Sequence, residues 1–122
     1  MTAGRESWVV LLHRGEEDSL YEGAAMAAAA ASLGVSVTLV WFDAALAALV
    51  SDRLDEPDGP GGSAAALLAA ARETGLIRSL ACSASAVNRK LGIERVREKV
   101  DEIVGWPTVV AQIRAANKAF IW

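Results

Sequence analysis

The sequence predicts an α/β fold in which a mostly parallel five-stranded sheet carries helices on both faces. Three observations point there. Apolar runs of strand length alternate with alanine-rich helical segments in the order βαβααβαβαβ. The first run is apolar throughout rather than alternating, as a strand covered on both faces is. The length of 122 residues suits one compact domain, residues 1–122, with enough chain to bury most of its apolar surface.

Trp8-Val9-Val10-Leu11-Leu12 is the first strand, bounded by charged and glycine residues. Ser19 to Leu33 reads as a helix: Ser19 with Glu22 matches a capping box, Glu17 and Asp18 complement the helix dipole, and Gly34 supplies the stop. Val35 to Phe42 is a second strand rich in β-branched and aromatic residues, and Ala44 to Val50 a short helix. Between Ser51 and Ser63 the chain turns to Asp, Pro and Gly, which hold no regular element; this long loop is either a surface excursion or a lid. Ala64 to Thr74 returns to helix and Gly75 ends it.

Ile77-Arg78-Ser79-Leu80-Ala81 is the third strand, followed by Cys82 and the small residues Ser83-Ala84-Ser85, where a helix should begin. Ala86 to Leu91 reads as a short helix stopped at Gly92, and Ile93 to Glu98 as a further turn. Lys99 to Val104 fits a helical face about as well as a strand, and Gly105-Trp106-Pro107 breaks it in either case. Thr108 then caps a helix from Val109 to Asn117, and Ala119-Phe120-Ile121-Trp122 closes the chain as a strand.

Composition narrows the function classes. A net charge of −3 with dispersed Lys and Arg argues against a nucleic-acid surface. The apolar share is 53%, much of it alanine, and no uncharged run reaches the length of a membrane span. That excess, with Trp8, Trp41, Trp106 and Trp122, predicts a homo-oligomer. Met1 to Glu6 lacks the apolar core of a secretory signal, and a single cysteine suits a reducing compartment, so the cytoplasm is the expected location. The Gly59-Pro60-Gly61-Gly62 stretch follows a helix and lacks the ending of a P-loop. No Gly-x-Ser-x-Gly elbow and no zinc-ligand spacing is present, so no metal and no cofactor is assigned.

What remains is Cys82. In a parallel sheet reactive groups gather beyond the carboxyl ends of the strands, so His13 to Glu17, Asp43, Cys82 to Ser85 and Trp106 should share one rim. A thiol at a strand-to-helix turn faces the positive end of a helix dipole, which favours thiolate and predicts a sulfur at least partly accessible. Were the first and third strands neighbours, His13 or Arg14 could approach it and stabilise the anion further. The alternative is a packing role, because free cysteine is among the most buried residue types. Arg89 and Lys90 read as solvated charge.

The arrangement resembles the DsrE/DsrF-like sulfur-relay family, also called DsrEFH-like or TusD-like, across almost the whole chain. The resemblance is carried by the Arg14-Gly15 loop, the helix Ala24 to Leu33 with Gly34, and Leu80-Ala81-Cys82-Ser83-Ala84-Ser85-Ala86 followed by Arg89 to Gly92. Val100-Asp101-Glu102-Ile103-Val104-Gly105 and Lys118-Ala119-Phe120-Ile121-Trp122 complete it. It implies a three-layer α/β/α sandwich, a strand within Lys99 to Val104, trimers or hexamers, and sulfur carried as a persulfide on a cysteine after a middle strand. Cys82 matches that position.

The leading expectation is therefore a sulfur carrier or sulfurtransferase, with Cys82 as nucleophile and His13, Arg14, Ser83 and Ser85 as substrate-binding residues. Its partner would be a sulfur-donor or sulfur-carrier protein. A second reading is a non-catalytic oligomeric module that binds a small ligand or a protein at the same rim. A thiol peroxidase or redox sensor ranks last, since no second cysteine can resolve a sulfenic acid within the chain.

Overall fold

The computed structural model describes residues 5–55 and 63–122. Strand β1 (Ser7–Leu12) leads into helix α1 (Glu17–Ser32), β2 (Ser36–Trp41) and α2 (Asp43–Val50). After a 3-10 turn at Arg53–Asp55 come α3 (Ala64–Arg72), β3 (Ile77–Cys82), α4 (Ser83–Asn88) and α5 (Ile93–Lys99). Strand β4 (Glu102–Val104), α6 (Trp106–Ala115) and β5 (Lys118–Ile121) complete the chain. Most of the glycine- and proline-rich loop expected between Ser51 and Ser63 lies outside the described residues.

All five strands are parallel, in the order β4-β3-β2-β1-β5. The sheet is thus wholly rather than mostly parallel. Alternation of side chains gives it two apolar faces. Val10, Leu12, Leu39, Trp41 and Ala81 meet the alanines of α1 and apolar residues of α2 to α5, including Leu46, Ala71, Ala86 and Val96. Alanine matters here because small side chains let α1 lie close on the strands: Ala24, Ala27, Ala30 and Ala31 are all buried. The opposite face, with Val9, Val40, Phe42, Leu80 and Cys82, packs on α6 through Val109 and Ile113. Helices on both faces make the α/β/α sandwich.

Element boundaries differ from expectation at several points, each for a local reason. Helix α1 starts at Glu17 with Glu16 as N-cap, so Ser19 lies inside the helix and forms no capping box. The acidic Glu17 and Asp18 at the dipole's positive end support the first turn instead. Helix α6 starts at Trp106, not after Thr108, because Pro107 falls in the first turn, where a missing N–H costs nothing. Helix α4 begins at Ser83 and ends at Asn88, earlier than the segment expected from Ala86 to Leu91. Gly92 does not stop it but serves as the N-cap of α5. The reversal falls on Lys90, at φ +56°, where the Lys90 N–H donates to the Val87 carbonyl and Leu91 N–H to Ala86. Gly34, at φ +89°, makes the same closure after α1 without a side chain to strain it.

The short edge strand β4 is fastened by Asp101. The Asp101 N–H donates to the Ser79 carbonyl at 2.9 Å, and its carboxylate accepts from the Ser79 N–H at 2.7 Å and from Arg72 at 3.1 Å. Arg78 pairs with Glu102 across the same two strands. These contacts settle the ambiguous segment Lys99 to Val104: its first residue ends α5, and Glu102–Val104 is strand.

Candidate functional site at the carboxyl rim

Because every strand runs the same way, residues at the strands' carboxyl ends meet at one edge. His13 follows β1, Phe42 and Asp43 follow β2, Cys82 ends β3, and Gly105 and Trp106 follow β4. The expected gathering of loop His13 to Glu17, Asp43, Cys82 to Ser85 and Trp106 on one rim is the observed arrangement.

Pairing register refines it. Leu12 pairs with Trp41, Trp41 with Ala81, and Cys82 with Val104. One step further along each strand, His13, Phe42, Cys82 and Val104 form a single row across the α6 face of the sheet. Strand β2 stands between β1 and β3, so the condition for His13 or Arg14 to reach the sulfur is not met. Two strand spacings separate the His13 and Cys82 positions, roughly 10 Å, and Phe42 occupies the place between. Both His13 and Arg14 are exposed.

Cys82 is the N-cap of α4, at the expected strand-to-helix turn. The expectation of a partly accessible sulfur is corrected: the residue is 1% exposed. It packs in the cluster with Phe42, Leu80, Val104 and Val109, which covers it from the neighbouring strands and from α6. Ser83 and Ser85 form the first turn of α4; Ser85 is buried and Ser83 half-buried. Arg89 and Lys90 lie in solvent, as expected.

Phe42 faces two ways. It belongs to the cysteine's cluster, and it also lines a cavity of about 270 Å³ with Leu11, His13, Asp43, Trp106 and Ile121. The rings of Phe42 and Trp106 stack at 5.1 Å between centroids, 24° from parallel. The sequence places Trp106 on this rim but not its partner Phe42. A signal existed, since Phe42 is in phase with Val40, two residues earlier on the same face, and its partner strand ends in Cys82.

A second cavity, of about 300 Å³, lies on the other face of the sheet against Leu39, Trp41, Ile77 and Ser79. Alternation along β3 points Ser79 and Cys82 to opposite sides, so this cavity cannot serve the thiol. Its charged residues are paired: Arg72 donates to Asp101, Glu98 accepts from Arg95, and Asp52 accepts from Lys99 and Arg95, with the Lys99 hydrogen bond, outweighing burial, holding the Asp52 carboxyl below the usual range. Among the described residues no cluster of three or more His, Cys, Asp or Glu side chains has the arrangement of a metal site. No helix among them is long and apolar enough to cross a membrane.

No curated protein matches the sequence at a significant level. In structure the chain is similar to the ychN protein from E. coli, with a TM-score of 0.72 and 15% identity, over 97% of this chain and 99% of that one. At that identity the likeness speaks for the fold alone. A sequence profile of the DsrE/DsrF-like family, whose members are associated with sulfur relay, matches residues 8–120, from the first strand to the last. With the fold and this match over nearly its whole length, the chain belongs to the DsrE/DsrF-like family.

Proposed function

We propose that the protein carries sulfane sulfur as a persulfide on Cys82, receiving it from a donor persulfide and passing it to an acceptor thiol. The observation that supports this is the position of the cysteine: the chain's one thiol ends an interior strand at the carboxyl rim of a sulfur-relay family fold. In the loading step the Cys82 thiolate attacks the outer sulfur of R–S–SH. The new S–S bond forms on Cys82, the donor's S–S bond breaks, and the donor leaves as a thiol after taking up the proton. Unloading is the same exchange with the acceptor thiolate as nucleophile. Neither step needs a metal, an external oxidant or an organic cofactor.

Cys82 is the catalytic residue of this reading. Ser83 and Ser85 flank it on α4 and supply hydroxyls near the incoming sulfur. His13 and Arg14, set apart by β2, act toward the donor or acceptor at the rim rather than on the thiol. The partner is a sulfur-donor or sulfur-carrier protein, and the working form is a cytoplasmic homo-oligomer, a trimer or hexamer.

The burial of Cys82 favours a second reading, a non-catalytic module in which the sulfur only fills the cluster under α6. Cyanolysis separates the two, because cyanide removes the outer sulfur of a persulfide as thiocyanate. Protein exposed to a polysulfide donor and freed of excess reagent is expected to release one thiocyanate per chain, and Cys82→Ser none. Equal release from both proteins, or none from the wild type, would leave the non-catalytic module.

A further inference from the structure

Among the groups at the rim, the aromatic pair has a geometry that packing alone does not require. Phe42 is 7% exposed and stands next to Cys82 in the row across the sheet. Its other side forms a wall of the rim cavity, where Trp106 lies stacked on it. Trp106 is 54% exposed and is the first residue of α6, directly after the N-cap Gly105. Val109, one turn along, is the buried anchor of the same helix, so the helix is held on the sheet by a contact separate from the stack. The residue just after Phe42, Asp43, sits at φ +42°, in the left-handed region that side chains other than Gly, Asn and Asp seldom adopt.

We propose that the Phe42–Trp106 stack is a gate between the rim cavity and the Cys82 thiol, closed in this structure and opened when sulfur is exchanged. The inference rests on the proposed function, since a sulfur that reacts must first be uncovered. Sulfur reagents reach the thiol from the side of Leu11, His13 and Ile121, through the space Phe42 occupies when closed. The rate of reaction then scales with the fraction of time the gate stands open. This gives His13, exposed at the cavity wall, a place on the approach path without contact with the sulfur.

The test is the rate at which an uncharged thiol reagent, 4,4′-dithiodipyridine, modifies Cys82 in the native protein. The wild type is expected to react far more slowly than the unfolded chain. Trp106→Ala, a largely exposed position, and Phe42→Leu should each react about tenfold faster, because the stack that holds the closed state is gone. Val110→Ala is the control, an exposed apolar truncation one turn along the same helix, and should leave the rate unchanged. Thermal melts identify any variant whose fold is lost. An unchanged rate in folded Trp106→Ala overturns the gate, and so does equal acceleration in Val110→Ala, which would mean a loosened helix. A rate that depends on Trp106 in a protein that never takes sulfur from polysulfide upholds the gate and overturns the sulfur-transfer reading.

Discussion

Asp101 shows how one side chain decides the form of an ambiguous segment. Burial raises its carboxyl, but the hydrogen bond from the Ser79 backbone N–H and the Arg72 guanidinium outweigh that effect and hold it below its ordinary value of 3.8. The folded state therefore binds this proton more weakly than the unfolded chain does. Its contribution to stability is fully present above that ordinary value and is lost as pH falls through the lower folded value. We expect Asp101→Ala to cost about 1–3 kcal/mol at neutral pH, the range for a hydrogen bond to a charged group and its unpaired partner. The penalty should shrink in strongly acidic solution, and urea melts at the two pH values measure it. A penalty equal at both would mean that the carboxylate does not fasten β4.

Elements were readable where their signal is local. The apolar run of β1, the β-branched run of β2, and the stops at Gly34 and Gly75, both at positive φ, follow from strands covered on both faces, β-branched side chains and glycine's backbone freedom. Strand neighbours are not local. Nothing in the order of elements says that β2 separates β1 from β3, so the approach of His13 to Cys82 could be posed only as a condition. Nor does a strand-to-helix turn say what lies above it, and Cys82 proved buried because Phe42 and α6 cover its face. The end of α4 was hidden differently, since a lysine occupies the left-handed position that glycine usually marks. Lys90→Gly should therefore stabilise the protein by about 0.5–1 kcal/mol, relief of the Cβ clash outweighing glycine's greater freedom in the unfolded chain. Its melting temperature should rise, and a fall would show that the lysine side chain makes a contact worth more than the strain.

At the scale of the molecule, the two sides of the sheet are covered unequally. Among the described residues, α1 to α5 contribute to the core on one side, whereas α6 packs on the other. Ile121, 69% exposed, shares that second side and lines the rim cavity with Trp106. The four tryptophans do not weigh equally in this: Trp41 is fully buried in the main core, Trp8 and Trp122 are half-buried, and Trp106 is left largely in solvent. Apart from the rim cavity, Val87 (69% exposed) and Ile93 (40% exposed) leave apolar surface on α4 and α5, as an interface with a second copy would use. Light scattering at micromolar concentration is expected to give the mass of three or six chains, and Val87→Asp to lower it. The mass of a single chain for the wild type would contradict the oligomer.

The same molecule, whatever its assembly, has one thiol to carry sulfur, and intact mass spectrometry reads it directly. After incubation with a polysulfide donor, the wild type should gain the mass of one sulfur atom per chain and lose it again to a reductant. Cys82→Ser, which puts a favoured N-cap residue at the start of α4, should keep its fold and gain nothing. A wild type that stays at its original mass with polysulfide and with a persulfidated carrier protein, or a serine variant that still takes up sulfur, would contradict the assignment of Cys82 as the sulfur carrier.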